Sequence, residues 1–160
     1  MGNIVIKYQE IDNWELLSKD EKKLIDSARD IAQSAYAVYS DFYVGAALYL
    51  ENKQIVLGNN QENSSFPCGI CAERVALFTA STNYPNLLIK SMAITAIPKN
   101  FNLDYPVAPC GMCRQVLLEC EEKQGADIQI LLFDSKKIIK IAKAKDLLPM
   151  YFKENKLKRK

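Results

Sequence analysis

The chain has 160 residues with 21 basic and 19 acidic side chains, a formal charge of +2, so no overall field demands nucleic acid or an anionic membrane as partner. This length suits one domain that buries its core without disulfides, placed at residues 1–152 and followed by a basic tail at 153–160. Met1 to Glu10 lack an apolar run of signal-peptide length and no stretch approaches the roughly 20 apolar residues of a membrane span, which points to the cytoplasm.

Ser18 followed by Glu21 matches a capping box, and Leu24, Ala28, Ile31 and Ala35 recur at helical spacing, predicting a first helix through to about Ala37. Tyr43 to Leu50 is an apolar, β-compatible run; the turn-like Glu51-Asn52-Lys53 and the strand Gln54 to Leu57 complete a hairpin. Gly58 to Ser65 is polar and turn-rich, a loop leading into the first cysteine cluster. Cys71 to Ala80 reads as a second helix, Leu87 to Ile97 as a buried strand ended by Pro98, and Gly111 to Lys123 as a third helix. Asp127 to Phe133 and Lys137 to Ile141 are two more strands, and Lys145 to Phe152 a short terminal helix or turn around Pro149. Strands alternating with crossover helices imply an α/β fold: three layers, α/β/α, around a central mixed five-stranded sheet. Beyond it, Lys153, Lys156, Lys158, Arg159 and Lys160 face only Glu154, a solvated basic tail.

Four of the five cysteines fall in two C-x-x-C pairs, Cys68/Cys71 and Cys110/Cys113, and the chain contains no histidine. In a reducing compartment such pairs are metal ligands or redox groups. Without histidine, acid–base chemistry falls to Glu, Asp, Cys, Lys or Tyr. Two arrangements are possible. A closed site would bind one zinc through all four thiols, but residues 72–109 between the pairs hold a helix and a strand, far more than the usual gap of about 15 to 20 residues. An open site would use Cys71, Cys110 and Cys113 and leave the fourth position to water. Glu73 favours the open site, because a carboxylate two residues after a ligand in a first helical turn can face the same cavity and carry a proton. Three thiolates outweigh Zn²⁺ by one negative charge, and Arg74 is placed to compensate.

These residues carry a resemblance that runs along most of the chain. Tyr39-Ser40-Asp41-Phe42-Tyr43-Val44-Gly45-Ala46-Ala47, Asn60-Gln61-Glu62-Asn63, Cys71-Ala72-Glu73-Arg74, Pro109-Cys110-Gly111-Met112-Cys113-Arg114-Gln115 and Leu147-Leu148-Pro149, in that order, resemble the small homotetrameric zinc-dependent cytidine deaminases. The resemblance implies one Zn²⁺ per chain and hydrolytic deamination of cytidine and deoxycytidine to uridine and deoxyuridine plus ammonia, in pyrimidine salvage. It implies attack at C4 by zinc-activated water with Glu73 as proton shuttle. It further implies that Asn60 and Glu62 hold the ribose, that Phe42 packs on the base, and that Phe152 reaches into a neighbouring subunit of a homotetramer. The substrate would be a small pyrimidine nucleoside, with neither nucleic acid nor membrane as partner. Alternatives are a deaminase of a modified aminopyrimidine nucleoside such as blasticidin S, a nucleic-acid-editing deaminase, or a structural four-cysteine zinc module. Two positions depart from the family: Cys68 stands where an apolar residue is usual, and Phe66 where tyrosine is common. Cys120, on the apolar face of the third helix, reads as a small buried hydrophobe.

Overall fold

The computed structural model describes residues 2–154 and 157. Lys156, Lys158, Arg159 and Lys160, expected to form most of the basic tail, lie outside the described residues. The elements in chain order are β1 (Gln9–Ile11), α1 (Lys19–Ala32), β2 (Phe42–Leu50), β3 (Ile55–Asn59), α2 (Ala72–Asn83), β4 (Ile89–Pro98), α3 (Gly111–Gln124), β5 (Gln129–Phe133) and β6 (Ile138–Ile141). The strands form one mixed sheet in the order β1-β6-β5-β4-β2-β3, in which β4 and β5 are the parallel neighbours.

The expected three-layer α/β/α architecture is present, with six strands where five were expected. The additional strand, β1, pairs antiparallel with β6 through Gln9 to Ile11. Three residues carry too little periodicity to be read locally, and their extended conformation comes from the β6 edge that hydrogen-bonds them. The first helix stops at Ala32, short of Ala37. The amides of Gln33, Ser34 and Ala35 close tight turns onto Asp30, Ile31 and Ala32, and Tyr36 then leaves to pair with the loop after β3. At the other end, the predicted terminal helix shrinks to a single 3-10 turn at Ala144–Leu147.

Strand alternation sends Ala47, Ala93 and Leu131 toward α1, where Leu24, Ile25 and Ala28 meet them. Leu48, Met92, Ile94 and Ile130 face the opposite way, into a core closed by Leu77 of α2 and Leu117 of α3. Full burial of such side chains stabilises by roughly 1.5–3 kcal/mol each, which fixes both layers against the sheet. Two close approaches fix the helix positions. A Cβ at Gly45 would lie 1.9 Å from the Ala28 carbonyl oxygen, and one at Gly58 would lie 2.4 Å from that of Ala72. The second contact seats the first turn of α2 directly on β3.

Because β3 and β4 are both antiparallel to β2, they run the same way, and β4 is parallel to β5. Helices α2 and α3 are the crossovers between them, so both start beyond the carboxyl ends of β3 and β4. Two helix N-termini thus share one edge of the sheet, the place where α/β folds commonly bind ligands.

Candidate metal centre and active-site cleft

Cys71 is the N-cap of α2 and Cys110 the N-cap of α3, and neither side chain makes a capping hydrogen bond. Their thiols are therefore free to turn toward each other at the positive ends of both helices. Cys71 Sγ lies 3.8 Å from Cys110 Sγ, which lies 3.5 Å from Cys113 Sγ, and all three sulfurs fall within 4.8 Å of one another. Zinc–thiolate bonds of about 2.3 Å in tetrahedral geometry place two sulfurs about 3.8 Å apart, so this spacing fits one zinc ion. Cys113 is buried, Cys71 half-buried and Cys110 exposed, so the cluster opens outward from the core. Cys68, exposed at the end of the 3-10 turn Phe66–Cys68, is not among the clustered thiols. The arrangement is therefore that of three thiols beside a cleft.

The electrostatics favour thiolate at Cys71. A hydrogen bond from the Cys113 thiol, outweighing the opposite effect of burial and joined by Arg74 and Cys110, holds the Cys71 thiol down to about 5. The same hydrogen bond, with burial and the Glu73 carboxylate, pushes Cys113 up. Arg74 Nη2 lies 4.0 Å from Cys71 Sγ. Its Nε is buried and has no hydrogen-bond acceptor. The Nη2 contact, long for a neutral thiol, fits a site in which Cys71 is ionised, since a guanidinium is a charge-assisted donor to thiolate.

Glu73 follows in the first turn of α2 and is 4% exposed. Burial raises its pKa above the ordinary carboxylate range; its own backbone amide opposes this, and the neighbouring Cys71 adds to it. A carboxyl held in this way can carry a proton closer to neutral pH than a surface glutamate can.

Next to the cluster lies a cleft of about 500 Å³ lined by Tyr39, Asn60, Glu62, Phe66, Cys71 and Met112, among others. Arg74 also reaches it. Glu62 is fixed from the Tyr39-Ser40 turn: its carboxylate accepts the Tyr39 amide at 2.8 Å, the Ser40 amide at 3.4 Å and the Ser40 hydroxyl at 2.5 Å. Asn60 is half committed elsewhere. Its carbonyl oxygen accepts the Val44 amide at 2.7 Å and its Nδ2 donates to the Phe42 carbonyl at 3.0 Å, tying the loop to β2 and leaving one amide hydrogen for other use.

The fold thus brings together Cys71, Glu73, Arg74, Cys110 and Cys113, with Asn60 and Glu62 on the adjoining wall. Phe42 and Phe152 stand apart from that wall. Phe42 stacks on Phe101, with centroids 6.1 Å apart and planes 14° apart. Phe152 is 74% exposed beside Gln115 and Glu122 on the α3 side. Sequence reasoning did not single out Ser40 or Met112; Ser40 stood within the Tyr39-Ser40 text, but its bond to Glu62 spans 22 positions and is invisible locally.

Residues 18–125 match the family model described as the cytidine and deoxycytidylate deaminase zinc-binding region. The chain is 37% identical over 134 residues to a cytidine deaminase of Halalkalibacterium halodurans, covering 83% of this chain and 94% of that protein. Among solved structures, the cytidine deaminase of Burkholderia pseudomallei superposes with a TM-score of 0.69 at 34% identity, over 81% of this chain and 97% of that one. That of Mycobacterium tuberculosis superposes with a TM-score of 0.67 at 28% identity, over 86% and 100%. With matching motifs, matching fold and a thiol cluster of zinc-binding spacing, the chain belongs to the cytidine and deoxycytidylate deaminase zinc-binding family.

Proposed function

We propose that this protein deaminates cytidine and deoxycytidine, adding water and releasing ammonia to leave uridine and deoxyuridine. The observation that carries the reading is the conjunction of three clustered thiols, from the N-termini of α2 and α3, with one buried carboxyl two residues after Cys71, which itself lines a cleft of nucleoside size. Cys71, Cys110 and Cys113 would hold one zinc ion, which supplies a Lewis acid able to ionise water near neutral pH. Glu73 takes up the proton given off by that water, delivers it to ring N3, and carries another to the amino group leaving from C4. Its raised pKa suits both tasks. Arg74 offsets the excess negative charge of three thiolates over a divalent ion. On the cleft wall, the Glu62 carboxylate and the remaining amide hydrogen of Asn60 hold the ribose hydroxyls.

The other parts of the reading rest on the resemblance and on exposure. Phe42 packs near the base, one hydrogen bond away from Asn60. Phe152 reaches the cleft of a neighbouring copy in a homotetramer, which accounts for an aromatic ring exposed beside its own chain. Residues 1–152 act as one domain, since every strand from Gln9 to Ile141 shares one sheet. Among the described residues no helix is long and apolar enough to cross a membrane. A site of three thiolates works best in a reducing cytoplasm, where disulfides do not consume its ligands.

The test is to mix zinc-loaded protein with cytidine or deoxycytidine and follow ammonia release together with the ultraviolet change to the uracil product. Turnover of either substrate, lost in Glu73→Gln, is the expected result. No turnover of both by zinc-loaded protein would overturn the proposal. Sedimentation velocity tests the tetramer separately.

A further inference from the structure

The two peptide planes that meet at a cysteine Cα fix φ and ψ and hence the Cα–Cβ bond, which leaves χ1 alone to place the sulfur. At Cys71 both planes are held by main chain. The Ile70 carbonyl, in the plane before it, accepts the Gln61 amide at 3.0 Å as part of an antiparallel bridge, and the Cys71 carbonyl, in the plane after it, accepts the Val75 amide at 3.1 Å. At Cys110 the following plane is held in the same manner, by the Arg114 amide on the Cys110 carbonyl at 3.0 Å. The preceding plane is held differently: the carbonyl of Pro109, a buried residue, accepts Arg114 Nε at 2.7 Å. One residue, Arg114, therefore grips both planes, one with its main chain and the other with its side chain.

The guanidinium is itself fixed. Arg114 Nη1 donates to the Leu147 carbonyl at 3.1 Å, at the end of the 3-10 turn Ala144–Leu147. The start of that turn is held by Glu121, two helical turns further along α3, whose buried carboxylate accepts the Ala144 amide at 2.7 Å and the Lys145 amide at 3.3 Å. A planar fork spanning two carbonyls is a task for arginine; a lysine ammonium is a single point on a flexible stem.

We propose that Arg114 is a positioning residue for the thiol cluster: it replaces at Cys110 the backbone bridge that orients Cys71, and so sets how firmly the site keeps zinc. This rests on the reading of Cys110 as a zinc ligand. Arg114 touches neither sulfur nor substrate in this role and acts through the Pro109–Cys110 peptide.

The experiment compares zinc release from the wild-type holoprotein and from Arg114→Met, Arg114→Lys and Leu24→Ala into a chromogenic chelator, alongside the thermal midpoint of each. Arg114→Met is expected to release zinc roughly 10- to 100-fold faster, the range seen when groups that orient metal ligands are removed. Arg114→Lys falls between it and the wild type. Leu24→Ala lowers the midpoint by opening a cavity in the α1 core, on the face of the sheet away from α2 and α3, yet leaves release within about twofold, since it shares no partner with Arg114 or Pro109. Wild-type release kinetics in Arg114→Met overturn the inference. So does acceleration by Leu24→Ala equal to that of Arg114→Met at the same loss of midpoint, because the effect is then general stability. If Arg114→Met does not fold, Arg114→Lys against Leu24→Ala decides the same question. A wild-type chain that holds no zinc overturns the ligand reading, and this inference with it.

Discussion

The N-terminus of α1 and those of α2 and α3 solve the same problem in opposite ways. At α1 the Ser18 hydroxyl accepts the Glu21 amide at 3.2 Å while the Glu21 carboxylate accepts the Ser18 amide at 2.9 Å, closing a full capping box. At α2 and α3 the capping position is a cysteine whose side chain caps nothing. A good cap stabilises by about 1 kcal/mol, so each of these helices forgoes a contribution that α1 receives. What it obtains is a thiol at the positive end of a helix dipole, turned away from its own backbone and toward the other thiols. The difference separates an end built for stability from two ends built for chemistry.

The comparison is tested most sharply at the ligands. Cys71→Ala is expected to lose both bound zinc and detectable turnover, measured by metal analysis and ammonia release; full zinc occupancy in that variant would break the distinction. Next in size, Glu73→Gln should keep its zinc while turnover falls by a factor of roughly 10² to 10⁴, the usual contribution of a positioned general acid–base. At the other kind of helix end, Ser18→Ala should cost about 1 kcal/mol in denaturant unfolding and leave zinc content unaltered.

A pH series sharpens the contrast further. In Glu21 burial works to raise the pKa, but the Lys140 ammonium and the Ser18 hydrogen bonds together bring it below the ordinary value. A carboxyl whose folded pKa is depressed contributes its full stability above the unfolded value, about 4.3, and loses it as pH falls through the lower folded one. The stability gap between wild type and Glu21→Gln should thus be present at neutral pH and close in acid; a gap that widens in acid would contradict the assignment. The smallest effect is expected from Cys68→Ala, which should keep one zinc per chain and most activity. A loss of zinc there would restore the symmetric four-thiol site.

Much of the fold was legible locally because its signals are local. The Ser18/Glu21 box, the apolar, β-compatible run from Tyr43 to Leu50 and the apolar stripe after Cys71 are each carried by a short stretch of chain. β1 was not legible, since its three residues become a strand only when β6 lies alongside. Nor was the early end of α1, which is set by Tyr36 pairing with Gln61. In the site, Cys71, Glu73 and Arg74 announced themselves by their spacing on one helix. Ser40 under Glu62 and Arg114 on Leu147 did not, because these bonds join positions 22 and 33 residues apart.

The sequence by itself determined which chemistry was open to this protein. Without histidine, the candidate ligands were thiols, and the candidate proton carrier beside them was Glu73, a consequence of residue type and short spacing alone. Only the tertiary structure decided which thiols meet. Cys71 and Cys110 are 39 residues apart, and they come within 3.8 Å because two crossover helices begin at the same edge of a sheet. Cys68, only three residues from Cys71, is left on an exposed turn by the same topology. Proximity along the chain sets what a residue can do, while the hydrogen-bonded order of the strands sets which residues it does it with.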